Sequence, residues 1–188
     1  MGDDALAGFV ERAARLAGLA GTTRPHGVSR IHTGALAGRT VAVATNGSYY
    51  WVEAELVLPG LPAQSGIEWA PHGLYTRAKL GDTVQARSGD DDFDSMYLVV
   101  GPDAEALVAL ISPKTIAAFV KFASIQASLM TFDVATMQPR LHLDCRPLVP
   151  DPREVRQWLV EGAGAAHAAK TIGDAVELAA EIERAQGC

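Results

Sequence analysis

Cysteine, long apolar runs and clustered basic residues are all scarce in this 188-residue sequence. The two cysteines are Cys145 and the last residue, Cys188, which is too few for a disulfide framework and is typical of a reduced cytoplasmic chain. Residues 40–52 form the longest stretch without a charged side chain, whereas a bilayer-spanning helix needs about 20 apolar residues. The acidic start, Met1-Gly2-Asp3-Asp4, precedes no apolar signal segment. We therefore expect a cytoplasmic protein, of bacterial type, that does not insert into a membrane.

The charge balance disfavours binding to nucleic acid. The chain has 16 Lys and Arg residues against 22 Asp and Glu residues, a net charge of -6 and an isoelectric point near 5.3, whereas phosphate binding relies on clustered cations. Because 48% of the residues are hydrophobic, enough apolar surface is available for a folded core. The standard phosphate-loop, His-Glu-x-x-His and Cys-x-x-Cys motifs are all missing from the sequence. The sequence therefore predicts neither a cofactor nor a metal site.

The N-terminal part reads as a helix followed by strands. Apolar residues recur at helical spacing over 4–20, which predicts an amphipathic helix ended by Gly21. The Gly- and Pro-containing segment 21–27 is predicted to be a connection. Asn46-Gly47 predicts a hairpin with a type I′ turn, because that turn needs positive φ at both central residues. The alternation of apolar and polar residues over 51–58 predicts the return strand.

The rest of the chain adds helices and a second hairpin. Two short helices are predicted between 103 and 125, the second with Ser112 as its N-cap. A hairpin is predicted between 129 and 145. From Pro152 onwards the pattern is helical, and Gly162-Ala163-Gly164 is expected to break it into two pieces.

Together these elements predict an α+β fold in which an antiparallel sheet, built from hairpins and interrupted by a short helical insertion, is packed by N- and C-terminal helices. We expect the helices to lie on one face of the sheet. The predicted organisation is an α+β domain over 1–150 and a C-terminal helical segment over 151–188 that packs on it or on a partner.

One segment resembles a pattern in uncharacterised bacterial proteins. The run from Asp92-Phe93-Asp94 to Val100-Gly101 is followed by a short Ala- and Leu-rich helix and then by Ile111-Ser112-Pro113. In the similar proteins a strand begins Phe-Asp, ends Val-x-Gly and leads into a helix with a Leu-Thr-Pro-like step. The resemblance covers about residues 92–120. It implies an α+β module and no established activity.

The acidic run is the most conspicuous polar feature. Four carboxylates lie within five residues, at Asp90, Asp91, Asp92 and Asp94. Oxygen ligands suit hard cations such as calcium, but the spacing lacks the glycine and the distal glutamate of an EF-hand loop. We expect a solvated turn before a strand, with a cation site as the alternative.

His142 is the main candidate for acid–base chemistry. It points to the same side of its predicted strand as Asp144, and Asp133 is expected on the neighbouring strand. A carboxylate beside a histidine orients the imidazole for general-base work. No nucleophile-elbow motif accompanies them, so an ordinary polar sheet face is favoured.

Aromatic and helical features favour interaction with another protein. Three consecutive rings, Tyr49, Tyr50 and Trp51, cannot all be buried on one face of a strand, so at least one should be exposed or covered by another element. The C-terminal helix adds an apolar stripe that packs within the chain or on a partner. The predicted contact residues are Tyr49, Tyr50, Trp51, Trp158, Ile172 and Val176.

The leading hypothesis is therefore a non-enzymatic protein-interaction or self-assembly domain, forming a homo-oligomer or binding a protein partner. A small-molecule or lipid-binding module is the first alternative, with a pocket between sheet and helices. A small hydrolase-like enzyme that uses His142 with Asp144 or Asp133 is the second.

Overall fold

The computed structural model describes residues 3–27, 29–57, 66–69, 84–110, 112–122, 131–133, 138–145 and 152–185. The chain forms two compact units, the first from residues 1–54 with 143–176 and the second from 55–142 with 177–188. The predicted division at residue 150 stays a prediction. None of the helices in the described ranges is long and apolar enough to cross a membrane.

The first unit is an antiparallel sheet with helices. Its helices are α1 (Asp3–Leu16), α5 (Pro152–Val160) and the first part of α6 (Gly162–Ala185), and its consecutive strands are β1 (Ala20–His26), β2 (Ser29–Leu36), β3 (Arg39–Thr45) and β4 (Tyr50–Glu55). The four strands pair in sequence order as hairpins. Strand β9 (Gln138–Cys145) lies beside β4, and its Leu143–Cys145 end completes this sheet. The α+β prediction is confirmed.

All three helices of this unit pack on one face of the sheet. The ring of Phe9 on α1 lies 5.7 Å from that of Tyr50 on β4, and Trp158 on α5 and His167 on α6 also contact the Tyr50 ring. Val43 and Val52 are opposite each other in the register and fully buried, as expected for residues that alternate towards the helices. We call this side the helix face of the sheet.

The two tight turns of the sheet differ in their chemistry. Between β2 and β3, Ala37 and Gly38 have φ values of 51° and 79°, so both central residues are in the left-handed region that a type I′ turn requires. The Asn46-Gly47 hairpin is confirmed, but its predicted two-residue type I′ turn is wrong. Asn46 Oδ1 accepts hydrogen bonds from the amides of Ser48 and Tyr49, and this stabilises a four-residue connection in which Gly47 takes the positive φ.

The predicted extent of the first helix is also wrong. Helix α1 ends at Leu16, Gly18 has a φ of 71°, and the amide of Leu19 donates to the Ala14 carbonyl at 2.8 Å, which closes the helix end. The segment predicted as a connection is strand β1. It accommodates Pro25 because β1 is the edge strand of the sheet, where one missing amide donor is tolerated.

The second unit contains a smaller antiparallel sheet. Its strands are β5 (Gly66–Trp69), β6 (Val84–Ala86) and β7 (Tyr97–Gly101), in the order β5-β7-β6. Its helices are α2 (Asp91–Met96), α3 (Ala104–Leu110) and α4 (Pro113–Phe122), and β8 (Thr131–Asp133) pairs with the first part of β9. The buried rings of Phe93, Tyr97 and Phe119 form its aromatic core, with centroids 5.1–5.9 Å apart. Ser112 caps α4 as predicted, accepting from the Thr115 amide.

Candidate functional site

The six residues predicted to contact a partner do not form one surface. Tyr50 and Ile172 are fully buried, because the strand or helix position of each points into the core. The four others are half-buried and are Tyr49, Trp51, Trp158 and Val176. Strand alternation holds across the aromatic triplet, since Tyr50 points to the helix face and its two neighbours point to the opposite face.

The buried hydroxyl of Tyr50 lies at the centre of a polar network. Its oxygen is 2.5 Å from Nδ1 of His167 and 2.9 Å from Oγ1 of Thr171. Thr171 in turn donates to the backbone carbonyl of His167, at 3.0 Å. The two α6 residues reach the same hydroxyl because a spacing of four residues places them on one side of the helix. We call Tyr50, His167 and Thr171 the Tyr50 network.

The surroundings of this network keep its groups uncharged. Burial, followed by the neighbouring Cys145, raises the pKa of Tyr50 above its usual range. Desolvation, followed by the positive charge of Lys170, lowers the pKa of His167, and Asp174 opposes this in part. At neutral pH the network therefore contains a neutral phenol and a neutral imidazole.

Aromatic rings enclose the network on two sides. Trp158 stacks on Tyr50 at 6.4 Å and meets His167 edge-on at 5.5 Å. Tyr50 holds the Nδ1 edge of the His167 ring, and the residue as a whole is exposed to solvent. Sequence reasoning missed this histidine because no metal or catalytic motif contains it. The four-residue spacing of His167 and Thr171 on a helix that also presents an apolar stripe was the available signal.

The opposite side of the same sheet carries a second group of aromatic residues. The rings of Tyr49 and Trp51 lie 5.7 Å apart, and Trp51 packs against a buried cluster of Ile31, Ala42 and Ala44. We call the side of the sheet that presents Tyr49 and Trp51 the aromatic face. The register places Arg24 in one row with Ile31, Ala44 and Trp51, and places Glu53 beside Ala42 in the next row.

The expectation that Asp133 lies on the strand next to that of His142 is confirmed, because β8 pairs with β9. Asp133 is opposite Gln138, four residues from His142 along β9, which corresponds to about 13 Å of strand rise. Asp133 therefore does not lie beside His142. The predicted alternation of this strand is confirmed for Leu141, Leu143 and Cys145, which are buried, whereas His142 is half-buried.

The acidic run is a helix start, not the simple turn that was predicted. Asp90 caps α2 by accepting a hydrogen bond from the Phe93 amide at 2.9 Å. Asp94 loses some solvation, which would raise its pKa, but hydrogen bonds from Ser88 and Gly89 hold that pKa below its usual range. Two of the four carboxylates, those of Asp90 and Asp94, are thus hydrogen-bonded to backbone amides at the start of α2. Among the residues that the structure describes, no group of three or more His, Cys, Asp or Glu side chains could hold a metal ion.

No protein-family model, curated protein or solved structure matches the chain.

Proposed function

We propose that this chain is a protein-interaction domain that self-associates through the aromatic face of its first unit. The observation that carries the proposal is the division of the sheet into two sides. All three helices of the unit pack on the helix face, and the other side presents the paired rings of Tyr49 and Trp51. Aromatic residues dominate the energetics of protein interfaces because they bury a large area with few rotatable bonds. In keeping with its few cysteines, we take the chain to work in the cytoplasm without nucleic acid.

Charge placement favours a second copy of the chain as the partner. Arg24 is on the edge strand β1, and Glu53 is on β4, three strands away on the same face. Two copies can stack by their aromatic faces about a two-fold axis that runs parallel to the strands, between β2 and β3. In this arrangement β1 of one copy lies over β4 of the other. Arg24 of each copy then approaches Glu53 of the other, offset by one row, about 7 Å, along the strands. An arginine side chain is long enough to cover that distance.

Charge reversal tests this arrangement. Arg24→Glu and Glu53→Arg should each weaken association by about tenfold in Kd, because like charges then oppose each other in both halves of the interface. The double variant restores opposite charges and should recover most of the affinity. Sedimentation equilibrium over a concentration series measures the Kd, with a monomer mass of 19.8 kDa as the reference.

Glu154→Arg is the matched control, since it makes the same charge change at an exposed position of α5 on the helix face. Circular dichroism of each variant confirms the fold. A wild-type chain that stays monomeric at high concentration would overturn the proposal. So would a double variant that associates as weakly as the two single variants.

A further inference from the structure

Counting the protons of the Tyr50 network identifies the tautomer of His167. Thr171 has one hydroxyl proton, and it is donated to the His167 carbonyl, which can only accept. In the contact between Thr171 and Tyr50, Tyr50 must therefore be the donor. This uses the single proton of the phenol, so its oxygen accepts from Nδ1–H of His167. The three hydrogen bonds form a closed ring, and they are all satisfied only when the His167 proton is on Nδ1.

This tautomer leaves Nε2 of His167 with an unshared electron pair. His167 is exposed, and Trp158 forms an apolar wall at one edge of the imidazole. The charged or titratable groups near it are Lys170 and Asp174 on α6, Tyr50 on β4 and Cys145 on β9, of which Lys170 and Asp174 bond to each other. A neutral imidazole whose second nitrogen is fixed by a hydrogen bond is the form in which histidine acts as a base or nucleophile.

We propose that His167 is a nucleophilic site for acyl transfer from activated esters with an apolar body, in which Tyr50 positions the imidazole. In this step Nε2 bonds to the ester carbonyl carbon, the carbon–oxygen bond breaks, and the leaving alkoxide or phenolate departs with the electron pair. Water then attacks the acyl-imidazolium carbon and gives up a proton, which the alkoxide or phenolate takes up, while the carbon–nitrogen bond breaks and its electron pair returns to Nε2. The net reaction is ester plus water giving carboxylic acid plus alcohol or phenol. This proposal does not depend on the aromatic face.

The tautomer is tested directly by nitrogen-15 NMR of the histidine rings in the full chain. The wild type should show a protonated Nδ1 and a pyridine-like Nε2 for His167, assigned by its loss in His167→Gln. Tyr50→Phe removes the acceptor for Nδ1–H, so the His167 signals should move towards the averaged shifts of a freely exchanging imidazole. A wild-type ring protonated on Nε2 would overturn the proposal.

Acyl transfer is tested with 4-nitrophenyl acetate as the probe. We expect release of 4-nitrophenolate to fall about tenfold or more in His167→Gln, and an acetyl adduct on His167 to appear by mass spectrometry after brief exposure. His26→Gln, which changes another exposed histidine, should leave the rate unchanged. In Tyr50→Phe the acetyl group should be shared between the two ring nitrogens, a result that a purely structural role for Tyr50 would not produce. Equal rates for wild type and His167→Gln would refute the proposal.

Discussion

Tyr50→Phe is the most informative single perturbation of the fold, because it removes one buried oxygen and keeps the ring. Tyr50 is fully buried, and its ring contacts with Phe9 and Trp158 remain in the variant. The variant loses the hydrogen bonds of the phenol to His167 and Thr171 and the contact of the phenol oxygen with Cys145. His167 can turn its edge to water, and the buried Thr171 hydroxyl keeps its bond to the His167 carbonyl but loses the donor that Tyr50 supplied. One intramolecular hydrogen bond contributes about 0.5–1.5 kcal/mol net, so the loss of two should cost about 1–3 kcal/mol.

Thermal unfolding followed by circular dichroism measures this loss. For a chain of this length, 1 kcal/mol corresponds to about 2–4 °C in Tm, so Tyr50→Phe should lower Tm by roughly 2–12 °C. Thr171→Val should have a similar effect, because it removes the other hydroxyl of the pair. In the double variant the two losses should not add, and the difference from additivity should be about 0.5–3 kcal/mol. Thr171→Ser keeps the hydroxyl and is the matched control.

The pH dependence gives a second measure of the same hydroxyl. Because the pKa of Tyr50 is raised in the folded chain, the unfolded chain loses its phenol proton first as the pH rises above 10. The stability contributed by the neutral phenol is therefore complete below pH 10 and falls above it, with a limiting slope of about 1.4 kcal/mol per pH unit. Tyr50→Phe should show a shallower alkaline loss than the wild type. Identical alkaline profiles, or additive losses in the double variant, would refute the network.

Three further predictions concern titration and backbone packing. Desolvation and Lys170 lower the pKa of His167, so the unfolded chain binds a proton at this imidazole before the folded chain does as the pH falls below about 6.5. The urea midpoint of unfolding should therefore decline on acidification. In His167→Gln that decline should be smaller. Burial raises the pKa of Tyr97 to about 12, so between pH 10 and 12 the unfolding free energy should fall by about 2 kcal/mol more in the wild type than in Tyr97→Phe. A Cβ at Gly164 would clash with the backbone carbonyl of Trp158, so Gly164→Ala should lower the unfolding free energy by about 1–3 kcal/mol. Gly173 lies in the same helix with open space around it, so Gly173→Ala should raise the unfolding free energy by about 0.5–1 kcal/mol. Thermal scans that rank the two variants the other way would contradict this packing.

Local sequence patterns predict the presence of helices and strands better than they predict the residues at which these elements begin and end. The break between α5 and α6 lies at Glu161, next to the predicted glycines, because glycine weakens a helix wherever it stands. The end of α1 was misplaced because Gly18 and Gly21 are equally good stop signals by composition. Only the backbone shows that Gly18 adopts the left-handed conformation that ends the helix. Gly21 instead faces Gly34 across β1 and β2, where a Cβ on either residue would strike the other strand.

The strand β1 shows why composition alone misassigns edge strands. A segment with Gly21, Pro25 and Gly27 resembles a connection, since glycine and proline both weaken a central strand. At an edge the missing proline donor is tolerated, and six of the seven residues of β1 are exposed, so the usual alternation of apolar and polar residues is lost as well. Neither of the two signals that identify a strand was therefore available in the sequence.

The candidate sites also differ in how much of each could be predicted from the sequence, because some of their features are local and others depend on contacts between distant residues. Alternation along β4 already separates Tyr50 from Tyr49 and Trp51, because the two-residue period of a strand is a local property. Which side is covered by helices depends on the return of the chain at α6, and the contact between Tyr50 and His167 joins residues 117 positions apart. A contact between residues so far apart in sequence produces no periodic pattern. His167 therefore cannot be told from other surface histidines until the position of α6 on the sheet is known. The placement of α6 matters for both proposals, because it buries the phenol that fixes the tautomer of His167 and leaves Tyr49 and Trp51 on the side of the sheet that α6 does not cover.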